Sequence, residues 1–293
     1  MLFDETTLRK LNQLTLVASR VRAGMIKGER RSTKRGTSIE FADYRNYAAG
    51  DDLRRLDWNV YARLERPFIK LLEEEEDLAI HILIDLSGSM EWGEGDKNKL
   101  RYTLYLAAAF GSIALNSGDQ LTVAVLQSGK TSAQFGPSRG PQNLVHYLNF
   151  LERLEAKGQT NLSGSIREYT LETHRPGLAF ILSDLFSPTG IQESTKLLQS
   201  KGYEVSVFHI LTEDEIDPPL AGDLRLIDIE TGEVEEVSLD GGLREIYRQS
   251  VKAWQENLQK EFHKRGIRYM KLSTDTAWDK VVLYDMRKEG AVK

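Results

Sequence analysis

The chain has 293 residues, 40% of them apolar and 28% charged, with a formal net charge of -5. This is a globular composition with enough length to bury a large core, and its acidic balance gives no overall attraction to nucleic acid or to an anionic membrane. With no cysteine in the sequence, disulfides, thiolate metal sites and a cysteine nucleophile are excluded, which fits a reducing compartment.

The opening residues, MLFDETTLRKLNQ, lack a basic start followed by an apolar block, so no signal peptide is expected. Nor is there a run of about 18 apolar residues that would span a membrane. The expected location is therefore the cytoplasm. Residues 4–25 carry Leu8, Leu11, Leu14, Leu16, Val17 and Val21 at spacings that predict a helix with one broad apolar face. The basic loop 27–35 follows, with Lys27, Arg30, Arg31, Lys34 and Arg35 against Glu29. A polyanion site is one reading of it; a solvated loop is the other, since no aromatic residues are interleaved. The stretch up to Asp77 mixes aromatic, arginine and aspartate side chains densely, as a packed polar network would, and gives no clear periodicity.

From residue 78 the pattern becomes regular. Strand-like apolar runs at 78–85, 120–127, 178–184, 203–211 and 267–272 alternate with helical patterns at 97–117, 141–157, 161–174, 190–200, 243–265 and 276–288. This alternation predicts an α/β fold, with a mostly parallel sheet covered by helices on both faces. A hairpin around Thr231-Gly232 is expected within 224–239. The predicted organisation is an N-terminal helix and extension over 1–77, then an α/β domain over 78–293.

The stretch AIHILIDLSGSM puts Asp85, Ser87 and Ser89 where the first strand of this sheet ends. In open α/β sheets that end carries the ligand crevice. Carboxylate and hydroxyl oxygens are hard donors, suited to Mg²⁺ or Mn²⁺ rather than to zinc. In a fully extended strand Asp85 and Ser89 would lie about 13 Å apart, too far for one ion, so the chain has to curl; Gly88 is the residue that would permit it. Further oxygens are expected at the ends of other elements: Asp184 after the strand in FILSDLF, and Thr160 in the loop KGQTNLSGS just before a helix.

Asp85-x-Ser87-x-Ser89, then Thr160, then Asp184, resembles the metal-ion-dependent adhesion site of von Willebrand factor A domains. The segment Asp51-Asp52-x-Arg54-x-x-Asp57-Trp58 resembles more narrowly the bacterial domain of unknown function 58 family, whose members are similar to von Willebrand A domains and are usually encoded beside a MoxR-type AAA+ ATPase. The likeness runs from about residue 35 to the end. It implies a von Willebrand A-like (Rossmann-like) fold and a cation held by Ser87, Ser89 and Thr160 directly or through one water. Asp85 and Asp184 would orient waters or bind directly, and one coordination position would stay open for an Asp or Glu of a client protein. It further implies a non-enzymatic adaptor or co-chaperone of a MoxR-type ATPase.

Other motifs compete with this reading. AVLQSGKT (124–131) formally fits a phosphate loop, but its first residues read as strand and no helix is expected after Thr131. A metal-dependent phosphatase using Asp85 would need a second carboxylate two residues on, where this chain has Ser87. His81 and His209 sit inside apolar strands and are read as hydrogen-bonded core residues. Arg54, Arg55 and Asp57 belong to a run of alternating charges that either fixes the extension in place or docks the ATPase partner. Exposed pairs contribute only about 0–1 kcal/mol each, so stability alone explains that density poorly.

Overall fold

The computed structural model describes residues 9, 11, 13–17, 39–48, 51–74, 78–159, 161–172, 175–187, 189–219, 222–230, 232–239 and 241–291. The chain divides into two compact units, Ala23–Asp77 and Met1–Arg22 with Leu78–Lys293. The expected extension 1–77 is thus split at Arg22.

In the smaller unit, β1 (Ile39–Asn46) and β2 (Phe68–Glu74) pair antiparallel, and α1 (Trp58–Leu64) lies between them in the chain. Asp57 caps α1, accepting from the amides of Asn59 and Val60 at 2.9 and 3.2 Å and from the Tyr44 hydroxyl at 2.7 Å. Arg45 and Asp51 form a two-bonded pair at 2.7 and 2.6 Å. That pairing first, and then the Ala48 amide, hold the Asp51 carboxyl down at about 2. The basic loop 27–35 lies outside the described residues.

The larger unit is built on six strands: β3 (Ala79–Asp85), β4 (Gln120–Gln127), β5 (Lys130–Ser138), β6 (Leu178–Ser183), β7 (Glu204–Leu211) and β10 (Arg268–Ser273). Between β7 and β10 in the chain, β8 (Gly222–Ile227) and β9 (Val234–Leu239) form the expected separate hairpin. The sheet order is β10-β7-β6-β3-β4-β5, with every neighbouring pair parallel except β4–β5. This is the predicted α/β architecture. The tight turn between β4 and β5 holds Ser128 and Gly129 at φ 50° and 81°. It occupies the stretch that formally fitted a phosphate loop, and no helix follows it.

Strand β3 is buried along its whole length, as a central parallel strand covered on both faces must be. Its residues alternate between two cores. Ile80, Ile82 and Ile84 join the core beneath α2 (Lys99–Asn116) and α3 (Leu144–Leu151). Leu83 joins the core that includes residues of α4 (Leu162–Glu172), α5 (Gln192–Ser200) and α7 (Gly241–Lys264). The two strand histidines are core residues: His81 Nδ1 lies 2.6 Å from the Tyr169 hydroxyl and His209 Nδ1 2.6 Å from that of Tyr269. Burial above all pulls both imidazoles down to about 4.

The helix expected over 4–25 does not run through residues 13–17, which are non-helical. Leu11, Leu14 and Leu16 are nevertheless buried in the first core, and the Val17 amide donates to the Ala291 carbonyl at 2.9 Å. Leucines spaced by two and three residues satisfied the helical template, while tertiary burial and a backbone bond to the C-terminal segment hold 13–17 in a non-helical path.

One substitution tests the packing of α2. A methyl group at Gly111 would fall 2.2 Å from the Tyr147 ring, and Tyr147, fully buried, donates its hydroxyl to the Ala107 carbonyl. Gly111→Ala should therefore cost about 1–3 kcal/mol, the usual range for overpacking, and lower the thermal midpoint by several degrees. An unchanged midpoint would show that this contact is not tight.

Candidate functional site

The strand order reverses at β3. From there the chain first builds outward through β4 and β5, then returns to lay β6, β7 and β10 on the other side. A crevice is expected at such a switch point, beyond the carboxyl ends of the strands. Asp85 ends β3 and Asp184 directly follows β6, so the topology sets both carboxylates beside it.

Asp85 is 2% exposed. One of its oxygens accepts from the Ser87 amide at 3.0 Å and the other from the Ser183 hydroxyl at 2.6 Å. Burial first, and then the negative charge of Asp184, raise this carboxyl well above the usual range; the Ser183 and Ser87 hydrogen bonds offset part of that. After Asp85 the chain curls into a 3-10 turn, Gly88–Glu91. Gly88 is favoured there for a different reason from the one its sequence context suggests. It has no positive φ; instead a methyl group would lie 3.3 Å from the Gly158 carbonyl, to which the Gly88 amide donates at 2.9 Å. The turn brings the Ser87 and Ser89 hydroxyl oxygens to 3.0 Å from one another.

The Lys157 amide donates to the Leu86 carbonyl and the Ser128 amide to the Gln159 carbonyl, at 2.9 and 3.2 Å. The chain is thereby carried alongside the site as far as Gln159. Thr160 itself lies outside the described residues.

Asp184 has a partner that the sequence did not reveal. Lys99, the first residue of α2, is fully buried and places its ammonium 2.7 Å from Asp184 Oδ2 and 2.6 Å from Glu215 Oε1. The ammonium also lies 5.3 Å from the centre of the Phe186 ring. Glu215 belongs to a capping box at the start of α6 (Glu213–Ile216), where its other oxygen accepts from the Thr212 amide at 2.9 Å. Asp184 Oδ1 accepts from the Phe186 amide at 3.1 Å. A lysine just inside a helix ordinarily reads as solvated, and nothing local in KNKLRYT marks it as buried. The Thr212-x-x-Glu215 spacing does signal a helix cap, though not a partner for Lys99. Ser183 was missed as well; a hydroxyl on the last residue of a buried strand, next to Asp184, was its only signal.

The donors fit a hard cation. Adjacent ligands of an octahedral ion bound at about 2.1 Å stand about 3.0 Å apart, the separation of the two serine oxygens. Ser89 is the partly exposed member of the set and Ser87 is buried, which leaves the Ser89 side for approach from solvent. Asp184 and Glu215 share one ammonium, and a divalent ion beside Asp85 would relieve the repulsion between its carboxylate and that of Asp184. Among the described residues no three His, Cys, Asp or Glu side chains gather as metal ligands; this site would rest on hydroxyls as much as on carboxylates.

The charged run of the smaller unit divides differently. Asp57 is 5% exposed and both its oxygens are committed to α1 and Tyr44. Arg54 is exposed and pairs with Asp52 at 3.3 Å. Arg55 ends the 3-10 turn Leu53–Arg55.

Among the described residues no helix is long and apolar enough to cross a membrane. Over 294 aligned residues the chain is 25% identical to uncharacterized proteins of Mycobacterium bovis and Mycobacterium tuberculosis, covering 99% of this chain and 92% of theirs. Among solved structures, the conserved hypothetical protein BatB of Bacteroides thetaiotaomicron aligns with 73% of this chain and 98% of its own, at 17% identity and a TM-score of 0.43. An aerotolerance-related membrane protein of Bacteroides fragilis aligns with 72% of this chain and 99% of its own, at 18% identity and a TM-score of 0.40. The family described as protein of unknown function DUF58 matches residues 43–257, and the chain belongs to it.

Proposed function

We propose that this chain is a divalent-cation-dependent protein-binding module of von Willebrand A type, holding Mg²⁺ or Mn²⁺ through Asp85, Ser87, Ser89, Thr160 and Asp184. The observation that carries this reading is the pair of serine hydroxyls 3.0 Å apart, beside two buried carboxylates at the sheet's switch point. An ion held largely by neutral hydroxyls stays electrophilic, so an incoming carboxylate gains energy by completing its shell. A client's Asp or Glu is the partner group that suits it. The role in this reading is binding rather than catalysis. Burial of Asp85, with both oxygens already hydrogen-bonded, weighs against its use as a phosphoryl acceptor. The MoxR-type ATPase partner and the cytoplasmic location rest on the sequence resemblance and the sequence reading, and the exposed Arg54 surface is where we would place ATPase docking.

In this reading Lys99 is a tethered counter-charge. It neutralises part of the carboxylate cluster at all times and keeps Asp184 Oδ2 from binding the ion directly, unless the ammonium moves. An ion bound on the Ser89 side therefore has Asp184 as an outer-shell partner and retains its appetite for an external carboxylate.

Two outcomes are expected from thermal melting in EDTA and then in millimolar Mg²⁺ or Mn²⁺. At 100 times its dissociation constant the ion should stabilise the wild type by about 2.7 kcal/mol and leave Asp85→Ala unmoved; an equal gain in both proteins would refute the site. Lys99→Met should lose about 3–5 kcal/mol in EDTA, because Asp184 and Glu215 are left without their cation. Mg²⁺ should restore more stability to Lys99→Met than it adds to the wild type. A variant that melts like the wild type and gains no more from Mg²⁺ would show that the ammonium does not balance this cluster.

A further inference from the structure

A cavity of about 620 Å³ opens beside this site. It is walled by segments that follow the carboxyl ends of three strands: the turn after β3, the start of α6 after β7, and the turn after β10. Each segment brings acid to it. Glu91 and Glu94 come from the first, Glu213 and Asp214 from the second and Asp275 from the third. Among the described residues of its lining Lys97 is the one basic side chain, and its ammonium is already held by Asp275 at 2.9 Å. That hydrogen bond first, then the charge of Asp275, with Asp214 and Glu213 adding to it, raises the lysine above its ordinary value, as expected inside a negative field.

Acid in the first turn of α6 has an ordinary explanation, since it complements the helix dipole. That covers Glu213 and Asp214 but not the three carboxylates supplied by the other two turns. A second observation is independent of charge. Thr274, also in the cavity wall, is 6% exposed, and its buried hydroxyl has no hydrogen-bond partner among the described residues. An unpaired polar group behind a cavity wall costs energy; this one is closed to solvent, so the wall has to move before a ligand can pair with it. Trp92, 50% exposed, adds an aromatic face to the same wall, and Ile229 from the β8–β9 connection adds an apolar contact.

We propose that this cleft receives a basic segment of a partner protein, with Arg or Lys side chains set among the carboxylates and against the Trp92 ring. Guanidinium and ammonium groups suit the wall: they pair with carboxylates, stack on an indole and lay an apolar stem along an isoleucine. A bare metal ion does not fit, because the carboxylates do not converge on one point. The volume suits several side chains rather than a single ion. The cleft wall begins at Glu91, two residues along the chain from Ser89. A partner whose carboxylate completes the ion on the Ser89 side brings its flanking residues to the cleft. The partner class is therefore an acidic residue flanked by basic ones. The flanking part of this inference rests on the protein-docking reading above; the cleft itself does not need the metal.

The test uses the full chain, a fluorescein-labelled hexaarginine peptide and fluorescence anisotropy in EDTA at low salt. The wild type should bind it. Glu94→Gln with Asp214→Asn, both exposed positions on different segments, should weaken binding about tenfold, as two charge pairs with the peptide are lost. Trp92→Ala should weaken it several-fold. Glu235→Gln with Glu236→Gln, on the exposed strand β9, should leave it unchanged. No binding by the wild type, or equal loss from both pairs of substitutions, overturns the cleft. A second titration, with a peptide carrying one Glu among the arginines and Mg²⁺ added, reads the metal separately. Retained cleft binding in EDTA with no gain from Glu and Mg²⁺ supports the cleft and overturns the metal-completed partner.

Discussion

The ion triad of Lys99, Asp184 and Glu215 constrains everything around the crevice. It ties together the first turn of α2, the residue after β6 and the cap of α6, three places far apart in the chain. A fully buried ammonium is tolerable only when carboxylates answer it, and here two do, at 2.7 and 2.6 Å. Each carboxylate is in turn fixed by a backbone amide, that of Phe186 for Asp184 and that of Thr212 for Glu215. The result is a rigid polar floor under the carboxyl ends of β3, β6 and β7.

Above that floor, the oxygens of Asp85, Ser87 and Ser89 are set by backbone rather than by side-chain freedom. The 3-10 turn and the close approach of Gly88 to Gly158 define where the serines stand, and the Ser183 hydroxyl fixes the Asp85 carboxylate. A site built in this way has most of its organisation cost met by folding, so an ion or an incoming carboxylate has few groups left to order. The acidic cleft continues the same surface past Trp92. The two features together give one edge of the sheet an electrostatic pattern able to select a partner by its sequence of charges.

Much of the fold could be read from the chain because burial imposes periods. AIHILID is apolar throughout, as strands covered on both faces are, and its alternate residues turn out to serve two different cores. The phosphate-loop reading of AVLQSGKT could be set aside on sequence alone, because a working loop would need a helix that the sequence does not supply; the antiparallel strand β5 follows instead. Where the reading failed, non-local structure had overridden a local pattern. Leu11, Leu14 and Leu16 suited a helix, yet 13–17 are non-helical and bond through Val17 to the C-terminal segment. Lys99 was invisible because its partners lie 85 and 116 residues away, and Ser183 because its role depends on a neighbouring strand. Asp85, Ser87, Ser89 and Asp184 were legible because strand ends in an α/β sheet converge by topology alone. Asp57, which the sequence also offered as a docking residue, is occupied by its own helix and by Tyr44.

The central claim is that a divalent cation sits between the Ser87 and Ser89 hydroxyls. Crystals grown with millimolar Mn²⁺, with diffraction collected at the manganese absorption edge, test it most directly. An anomalous peak is expected about 2.2 Å from both serine oxygens, with Lys99 still bound to Asp184 and Glu215. A fully ordered loop with manganese in the solvent and no peak at that position would contradict it.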